Sequence, residues 1–294
     1  MKMAISPSHS LGQIIGYAME LAFFEIIKDS VSDGGYYVDR QGPRPARNNR
    51  KKVTWVDYNQ NKHDLDFVIE KNGTDEVVGI PVAFIESAWR RYTKHSVNKA
   101  GEIANALIPL RVTYQGHNPF VGAIVAGEWT VGGLTHMKSQ GINVVYIPVP
   151  VIVNAFECVG VDFNFNEDTS TDDLQYQVDK WSSLSDDHKW SVVDNLIEST
   201  NPYFYDFIVE LRTHLSRRID RIIIIPLYGD VLYAGTLDEA IDVIHHFDSA
   251  LDYAQSLDLK KIEIQLRFSN LDKIDASFTS KQDAIEWLEL NKSY

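Results

Sequence analysis

The spacing of apolar residues predicts a helix at the start of the chain and β-strands after it. Apolar positions recur at helical intervals over residues 10–31, Ser10 is a suitable N-cap, and Asp33-Gly34-Gly35 ends the repeat. A strand pair is predicted next, formed by VTWVDYN and DLDFVIEKNG on either side of a polar break at residues 59–63.

Apolar runs rich in β-formers predict buried central strands, namely GIPVAFIESAW, PFVGAIVAGEW and INVVYIPVPVIV. A helix that begins at Ser96 and stops at Pro109 is predicted between the first two, and residues 131–140 predict a short helix before the third. The resulting order, α-β-β-β-α-β-α-β, indicates an α/β (α+β) fold with a mixed central sheet flanked by helices.

The second half of the chain changes character. Residues 165–190 are acidic and rich in Ser, Thr and Asp, and helices are predicted over residues 172–218. The tail contains a weak internal repeat, because RIIIIPLYGDVLYAGTLDEAIDVI and KIEIQLRFSNLDKIDASFTSKQDAIEWL both follow the pattern strand, turn, strand, helix. We therefore predict a core over residues 1–165, a helical segment over 166–218, and a small α+β subdomain over 219–294 that serves specificity or dimerisation.

Composition narrows the class of protein. A single cysteine, Cys158, excludes a disulfide scaffold. No apolar run reaches the ~20 residues of a bilayer span, and the start MKMAISPSHS lacks the apolar core of a secretory signal, so we expect a cytoplasmic protein without a membrane partner. The net charge of −13 argues against a polyanionic partner, but residues 1–160 carry +1 and residues 161–294 carry −14. The first part of the chain therefore stays compatible with binding a polyanion.

Two carboxylates in the strand region carry the most specific chemical signal. Asp66 opens one predicted strand and Glu86 ends the next, so a β-hairpin would bring them together, with Asp64 on the same face as Asp66. Oxygen ligands at adjoining strand ends suit Mg²⁺, which polarises phosphoryl oxygens and lowers the pKa of a bound water.

With this order of elements, with Asp66 in a strand, and with FIE followed by a helix and the strand PFVGAIVAGEW, the chain resembles the PD-(D/E)xK nuclease superfamily over roughly residues 10–155. The resemblance implies a restriction-endonuclease-like fold in which Asp66 and Glu86 bind the metal, with Glu20 on the first helix as a further acid. It also implies a Mg²⁺-dependent deoxyribonuclease acting on double-stranded DNA, of type II restriction class. A homodimer and a cognate DNA methyltransferase in the same system are then expected.

One position departs from the family's pattern. The family places a lysine two residues after the second acid, where this chain has Ala88. Lys94, in the following loop, and Lys99, in the first turn of the next helix, are candidates to replace it, and Glu102 lies one turn beyond Lys99. Lys99 is the stronger candidate because the apolar face of its helix docks on the sheet.

Basic residues near these acids are candidate DNA contacts. Residues 40–52 contain six basic residues and no acidic one, and WRRYTKHS adds a second basic block. The candidates are Arg44, Arg47, Arg50, Lys51, Lys52, Arg90, Arg91 and His95.

Two alternatives remain open. One is a structure-specific repair or recombination nuclease with the same core, and the other is a catalytically degenerate nuclease fold that serves as a DNA-binding module. The chain contains neither a GxxxxGK[ST] phosphate loop nor a GxSxG elbow, and its glycines between residues 122 and 133 do not fit the dinucleotide-binding fingerprint. This argues against a nucleotide-driven motor or an ordinary dehydrogenase.

Overall fold

A computed structural model describes residues 6–226, 230–247 and 261–292, and the side chain of His95 lies outside that description. The chain forms two compact units. The first comprises Met1–Tyr114 and Pro119–Arg212, and the second comprises Gln115–Asn118 and Thr213–Tyr294. The helical segment predicted over residues 166–218 is therefore not a separate body, because residues up to Arg212 belong to the first unit.

The first helix begins earlier than predicted. α1 spans Pro7–Ser30, with Pro7 in its first turn and Ser6, not Ser10, as the N-cap whose hydroxyl accepts the His9 amide. Its length and apolar composition would also suit a membrane span, but 44% of that stretch is buried inside the fold. Phe23 and Ile27 are fully buried, which is typical of a core helix in a packed domain.

The strands of the first unit build a five-stranded mixed sheet and a separate hairpin. Their bounds are β1 (Tyr36–Arg40), β2 (Val53–Val56), β3 (Lys62–Leu65), β4 (Phe67–Lys71), β5 (Ile80–Arg90), β6 (Phe120–Gly127) and β7 (Asn143–Ile147). The sheet order is β1-β4-β5-β6-β7, with β2 and β3 forming the hairpin. β1, β4 and β5 pair antiparallel, whereas β5, β6 and β7 pair parallel. The mixed α/β architecture is as predicted, but the sequence does not predict β1, and the predicted strand over DLDFVIEKNG is two strands divided at Asp66.

Helices cover the sheet. They are α2 (Ser96–Thr113), α3 (Val131–Ser139), α4 (Val149–Glu157), α5 (Thr171–Ser182) and α6 (Asp186–Leu215). Val68, Phe84 and Ala88 of the sheet share one buried cluster with the apolar face of α2. Phe67 and Ile85, which alternation directs to the other face, are also buried, and α1 packs against β5. Burial of both faces explains why β5 and β6 are almost continuously apolar.

Two predicted boundaries are wrong. α2 continues through Pro109, and the Pro109 carbonyl, in the last turn, accepts a 2.7 Å hydrogen bond from the Thr113 hydroxyl. Burial of Leu107 and Leu110 favours continuing the helix despite the missing amide proton of proline. The run INVVYIPVPVIV is a strand only up to Ile147. Its last five residues, VPVIV, form the start of α4, where the apolar residues follow helical spacing.

The second unit contains the predicted repeat. Its elements are β8 (Ile219–Pro226), β9 (Leu232–Ala234), α7 (Leu237–His246), β10 (Ile262–Phe268), β11 (Lys273–Phe278) and α8 (Lys281–Asn291). The four strands form one sheet in the order β11-β10-β8-β9, so each ββα unit contributes one central and one edge strand. Thr236 and Ser280 occupy equivalent N-caps, accepting the amides of Glu239 and Asp283. The second unit thus has an α+β arrangement built from two ββα halves.

Candidate functional site

The hairpin formed by β4 and β5 brings two carboxylates together. Asp66 lies between β3 and β4, and because Phe67 is paired with Ile85, Asp66 reaches the level of Glu86 on the neighbouring strand. The Ser87 amide donates a 2.6 Å hydrogen bond to Asp66 Oδ2, which fixes that carboxylate against β5. The predicted juxtaposition of Asp66 and Glu86 is thus present, although Glu86 lies inside β5 and not at its end.

Glu86 is held in an environment that disfavours its charge. The residue is 8% exposed, and among the described residues its Oε1 atom has no hydrogen-bond partner. Burial raises the pKa of Glu86 to about 8, with the charge of Asp66 adding to the effect. A buried carboxylate without a donor is costly, so this oxygen is a natural ligand for a cation.

Glu20 approaches the same place from α1. Together with Tyr17, Arg40, Gln41 and Asp66, it lines a small pocket of about 110 Å³. Burial, followed by the charge of Asp66, raises the pKa of Glu20 to about 7, and Arg40 opposes this shift. Three acids, Glu20, Asp66 and Glu86, therefore act on one another electrostatically at this end of the sheet.

Lys99 supplies positive charge to the acids. Its ammonium group lowers the pKa of both Asp66 and Glu86, although burial keeps the pKa of each raised overall. Lys99 is also 3.3 Å from Glu102 Oε2. Glu102 has a side chain that is 65% exposed, so it orients Lys99 and does not join the buried acids. Lys94 lies exposed in the 3-10 turn Thr93–His95 that precedes α2.

Ala88 is part of the packed core beneath this site. It is 5% exposed, in the same cluster as Ala100 and Ile103 of α2. A side chain at position 88 therefore projects toward the first turns of the helix that carries Lys99. Position 88, where the sequence resemblance would place a lysine, thus belongs to the same buried cluster as the helix that carries Lys99.

The structure contradicts the predicted DNA contacts of two loop arginines. Arg44 is 2% exposed, and its guanidinium pairs with Glu70 and Asp39, each at 2.8 Å. Arg47 lies 2.9 Å from the same aspartate and donates to main-chain carbonyls, including those of Arg50 and Lys52. Both side chains hold the 40–52 loop together, because their donors are already used within the chain.

The other predicted DNA contacts fall into three groups. Arg50 and Lys51 are exposed, and Lys52 is exposed but paired with Asp64. Arg91 donates to the Phe165 carbonyl, while Arg90 is partly buried and donates to the Trp89 carbonyl. The His95 side chain lies outside the described residues.

Asp64 and Glu128, weighed as neighbours of the site, are both solvated. Asp64 accepts from Lys52 and Thr54, and the hydrogen bond from Lys52 is the main reason its pKa is lowered. Glu128 is exposed just beyond β6. At that point Gly127 has a φ of +101°, and a Cβ there would meet the Arg90 carbonyl oxygen, so glycine is required for β5 and β6 to approach so closely.

Sequence reasoning missed Arg40, Gln41 and Tyr17 at the acid pocket. Arg40 lies 4.2 Å from the centre of the Phe24 ring in a cation–π contact, which holds it beside α1. Composition alone groups Arg40 with the basic loop that follows, because the sequence does not predict β1. The β-formers in YYVDR, directly after a glycine turn, were the available signal.

A magnesium ion at the acid site would have to be held by only one or two protein ligands. Among the described residues, no three His, Cys, Asp or Glu side chains form a preassembled metal-binding group. Mg²⁺ commonly uses one or two carboxylates and takes its remaining ligands from water and substrate phosphates. Asp66 and the unpartnered oxygen of Glu86 match that smaller set.

Comparisons with known proteins leave the family open. Neither a protein-family model nor a curated protein matches this chain. The solved structure of AF1548, a protein of unknown function, aligns with 67% of this chain and 98% of its own length, at 8% identity and a TM-score of 0.29.

Proposed function

We propose that this chain is a Mg²⁺-dependent DNA endonuclease that hydrolyses phosphodiester bonds in duplex DNA. The observation that carries the proposal is the buried Oε1 of Glu86, which has no hydrogen-bond partner among the described residues, beside the fixed carboxylate of Asp66. Two adjoining carboxyl groups with few hydrogen-bond donors, in a place where burial disfavours their ionisation, gain most from a bound cation. The order of strands, two antiparallel pairs followed by two parallel pairs, supports a restriction-endonuclease-like core.

Each residue of the site has a distinct role in this proposal. When bound, Mg²⁺ polarises the phosphate and favours ionisation of the attacking water. Asp66 and Glu86 hold the ion, and Lys99 offsets the negative charge that develops on the phosphate oxygens. Glu20, with its pKa raised to about 7, is matched to accept a proton near neutral pH.

The test is digestion of a mixed DNA panel with Mg²⁺, with Mn²⁺ and with EDTA. The wild-type chain should cut with either metal and not with EDTA. Asp66→Asn and Glu86→Gln should abolish cleavage while DNA binding and the folded state persist. Glu128→Gln, which removes an exposed carboxylate near the same end of the sheet, is the matched control and should cut at the wild-type rate. Near wild-type cutting by either site variant would place the metal elsewhere.

A second candidate is a nuclease-like fold that binds DNA without cutting it. Ala88, buried where the family has its lysine, is the observation that favours it. This candidate predicts DNA binding with no cleavage under any metal. Restoring Ala88→Lys would then create activity, whereas in a working enzyme the added lysine should crowd α2 and lower the rate.

The cellular setting is a separate proposal. A type II restriction enzyme would act as a cytoplasmic homodimer beside a cognate methyltransferase and would cut plain duplex at one sequence. A repair or recombination nuclease would cut at junctions or ends. The same panel separates them, if it includes both plain plasmid and branched substrates.

A further inference from the structure

An aromatic pocket lies directly beside the acid site. It has a volume of about 350 Å³, at the lower end of the range usual for ligand pockets. Tyr17 and Leu21 of α1 line both this pocket and the pocket that contains Glu20 and Asp66. The two pockets therefore share Tyr17 and Leu21 of α1 as a common wall.

The rings at this pocket are available to a ligand to different degrees. Tyr17 is 62% exposed and Trp190 is 49% exposed, although both are large apolar side chains. Trp181, in contrast, packs against Phe156 and Phe163, so it forms a fixed wall. An apolar floor with open rings at its edge is suited to a flat aromatic guest.

The charged residues at the rim of the aromatic pocket make it a poor site for a phosphate. Lys189 lies 3.9 Å from Asp186, and both residues line the pocket. Because these opposite charges offset one another, the rim offers little net attraction to a phosphate. The phosphate of a nucleotide would instead be held through a cation bound by Asp66 and Glu86, with the uncharged base directed into the aromatic pocket.

We propose that the pocket formed by Tyr17, Trp181 and Trp190 accepts an unpaired nucleobase of a DNA strand whose phosphate lies at the Asp66–Glu86 site. This inference rests on the proposed function and assigns its substrate class: DNA with an unpaired nucleotide next to the bond that is cut. A base inside an intact duplex is stacked and cannot enter such a pocket without being extruded.

Binding in Ca²⁺, a cation that takes oxygen ligands and can bridge the carboxylates and the phosphate, tests the inference without requiring cleavage. Three probes are compared: a blunt duplex, the same duplex with a short unpaired extension, and that extension with its bases removed. Stacking of one base on an aromatic side chain contributes about 1–3 kcal/mol, so the extended duplex should bind roughly 10-fold more tightly than the blunt one. The abasic extension should lose that preference, because it keeps the phosphates and lacks the rings.

Substitutions of aromatic residues test whether the pocket causes the preference for the extended duplex. In Trp190→Ala, the ratio of the affinity for the extended duplex to the affinity for the blunt duplex should be close to one. Trp190→Phe should retain most of the preference for the extended duplex. Tyr176→Ala is the matched control, since Tyr176 is also an exposed aromatic residue, on α5, but does not line the pocket. It should leave the ratio unchanged. Equal affinity for all three probes, or a full preference in Trp190→Ala, would overturn the inference.

Binding and cleavage together distinguish a failure of this inference from a failure of the proposed nuclease function. A Trp190-dependent preference for unpaired DNA, without cleavage in any metal, would retain the base-binding pocket and overturn the nuclease together with the substrate class assigned to it. Metal-dependent cleavage without any preference for unpaired nucleotides would support the nuclease and overturn the base-binding pocket.

Discussion

The Ser87 amide donates to Asp66 across the β4–β5 pair, whereas the carboxylate of Glu86, one residue before Ser87, receives no such donor at Oε1 from the described residues. The two acids therefore differ although they are neighbours. Burial raises the pKa of Asp66, but the Ser87 hydrogen bond opposes that shift. Burial and the charge of Asp66 raise the pKa of Glu86 to about 8. The Ser87 hydrogen bond thus favours the charged form of Asp66, whereas no donor among the described residues does the same for Oε1 of Glu86.

Stability should therefore depend on the charge of Glu86. Its pKa is raised from 4.5 to about 8 on folding, so its contribution to stability is complete below pH 4.5 and is lost as the pH rises toward 8. Glu86→Gln, which cannot ionise, should be more stable than the wild type above pH 8 and nearly equal to it at pH 4.5. Urea denaturation at several pH values measures the difference.

The control for this experiment is Glu128→Gln, whose exposed carboxylate should leave the pH dependence unchanged. Saturating Mg²⁺ should stabilise the wild type at high pH and narrow its difference from Glu86→Gln. A difference that stays constant between pH 4.5 and 8 would contradict the ionisation of Glu86 as its source.

Substitutions of the two candidate lysines should affect different steps, namely cleavage for Lys99 and DNA binding for Lys94. Lys99→Ala should lower the cleavage rate at least ~100-fold, equivalent to about 2.7 kcal/mol of barrier, because Lys99 acts on both acids. Lys94→Ala should mainly weaken binding, since Lys94 is an exposed turn residue. Single-turnover kinetics separates the cleavage rate from binding. Lys99→Arg should recover part of the rate, and a larger rate loss in Lys94→Ala than in Lys99→Ala would reverse the assignment.

Arg44 should be a stability residue. Arg44→Ala removes one partner of a buried ion pair and leaves the charges of Asp39 and Glu70 uncompensated, which typically costs about 3–5 kcal/mol. Urea denaturation should therefore show a large loss of stability. Arg50→Ala, an exposed change in the same loop, should be close to neutral. If Arg44→Ala were as stable as the wild type but bound DNA weakly, the DNA contact predicted from the sequence would be restored.

These cases show which parts of the molecule the sequence could predict. The Asp66–Glu86 pair follows from local rules, because strand alternation and one hairpin are enough to bring them together. The placement of Lys99 also follows from local spacing, since the buried Ala100 and Ile103 fix the side of α2 that docks.

The parts that could not be predicted depend on distant partners. A basic loop predicts solvent-exposed cations, and only the three-dimensional pairing with Asp39 and Glu70 shows that Arg44 is internal. Pro109 is a helix stop by propensity, and the packing of Leu107 and Leu110 overrides it. Trp190 carried no motif, because its position beside Tyr17 depends on how α6 meets α1.

The remaining exposed cations of the loop should contribute to DNA affinity through phosphate contacts. The Gly42 amide donates to the Lys51 carbonyl at 2.8 Å, and Gly42 follows Gln41, which lines the acid pocket, so Arg50 and Lys51 are tethered near the site. Each lost phosphate contact should reduce the slope of log affinity against log salt by about 0.9. The double variant Arg50→Ala, Lys51→Ala should therefore reduce the slope by the equivalent of up to about two phosphate contacts. Fluorescence anisotropy of labelled DNA across a salt series measures the affinities. Lys28→Ala, an exposed cation near the end of α1, is the control and should leave the slope unchanged. An unchanged slope in the double variant would assign the loop to a solvated surface and move the DNA path elsewhere.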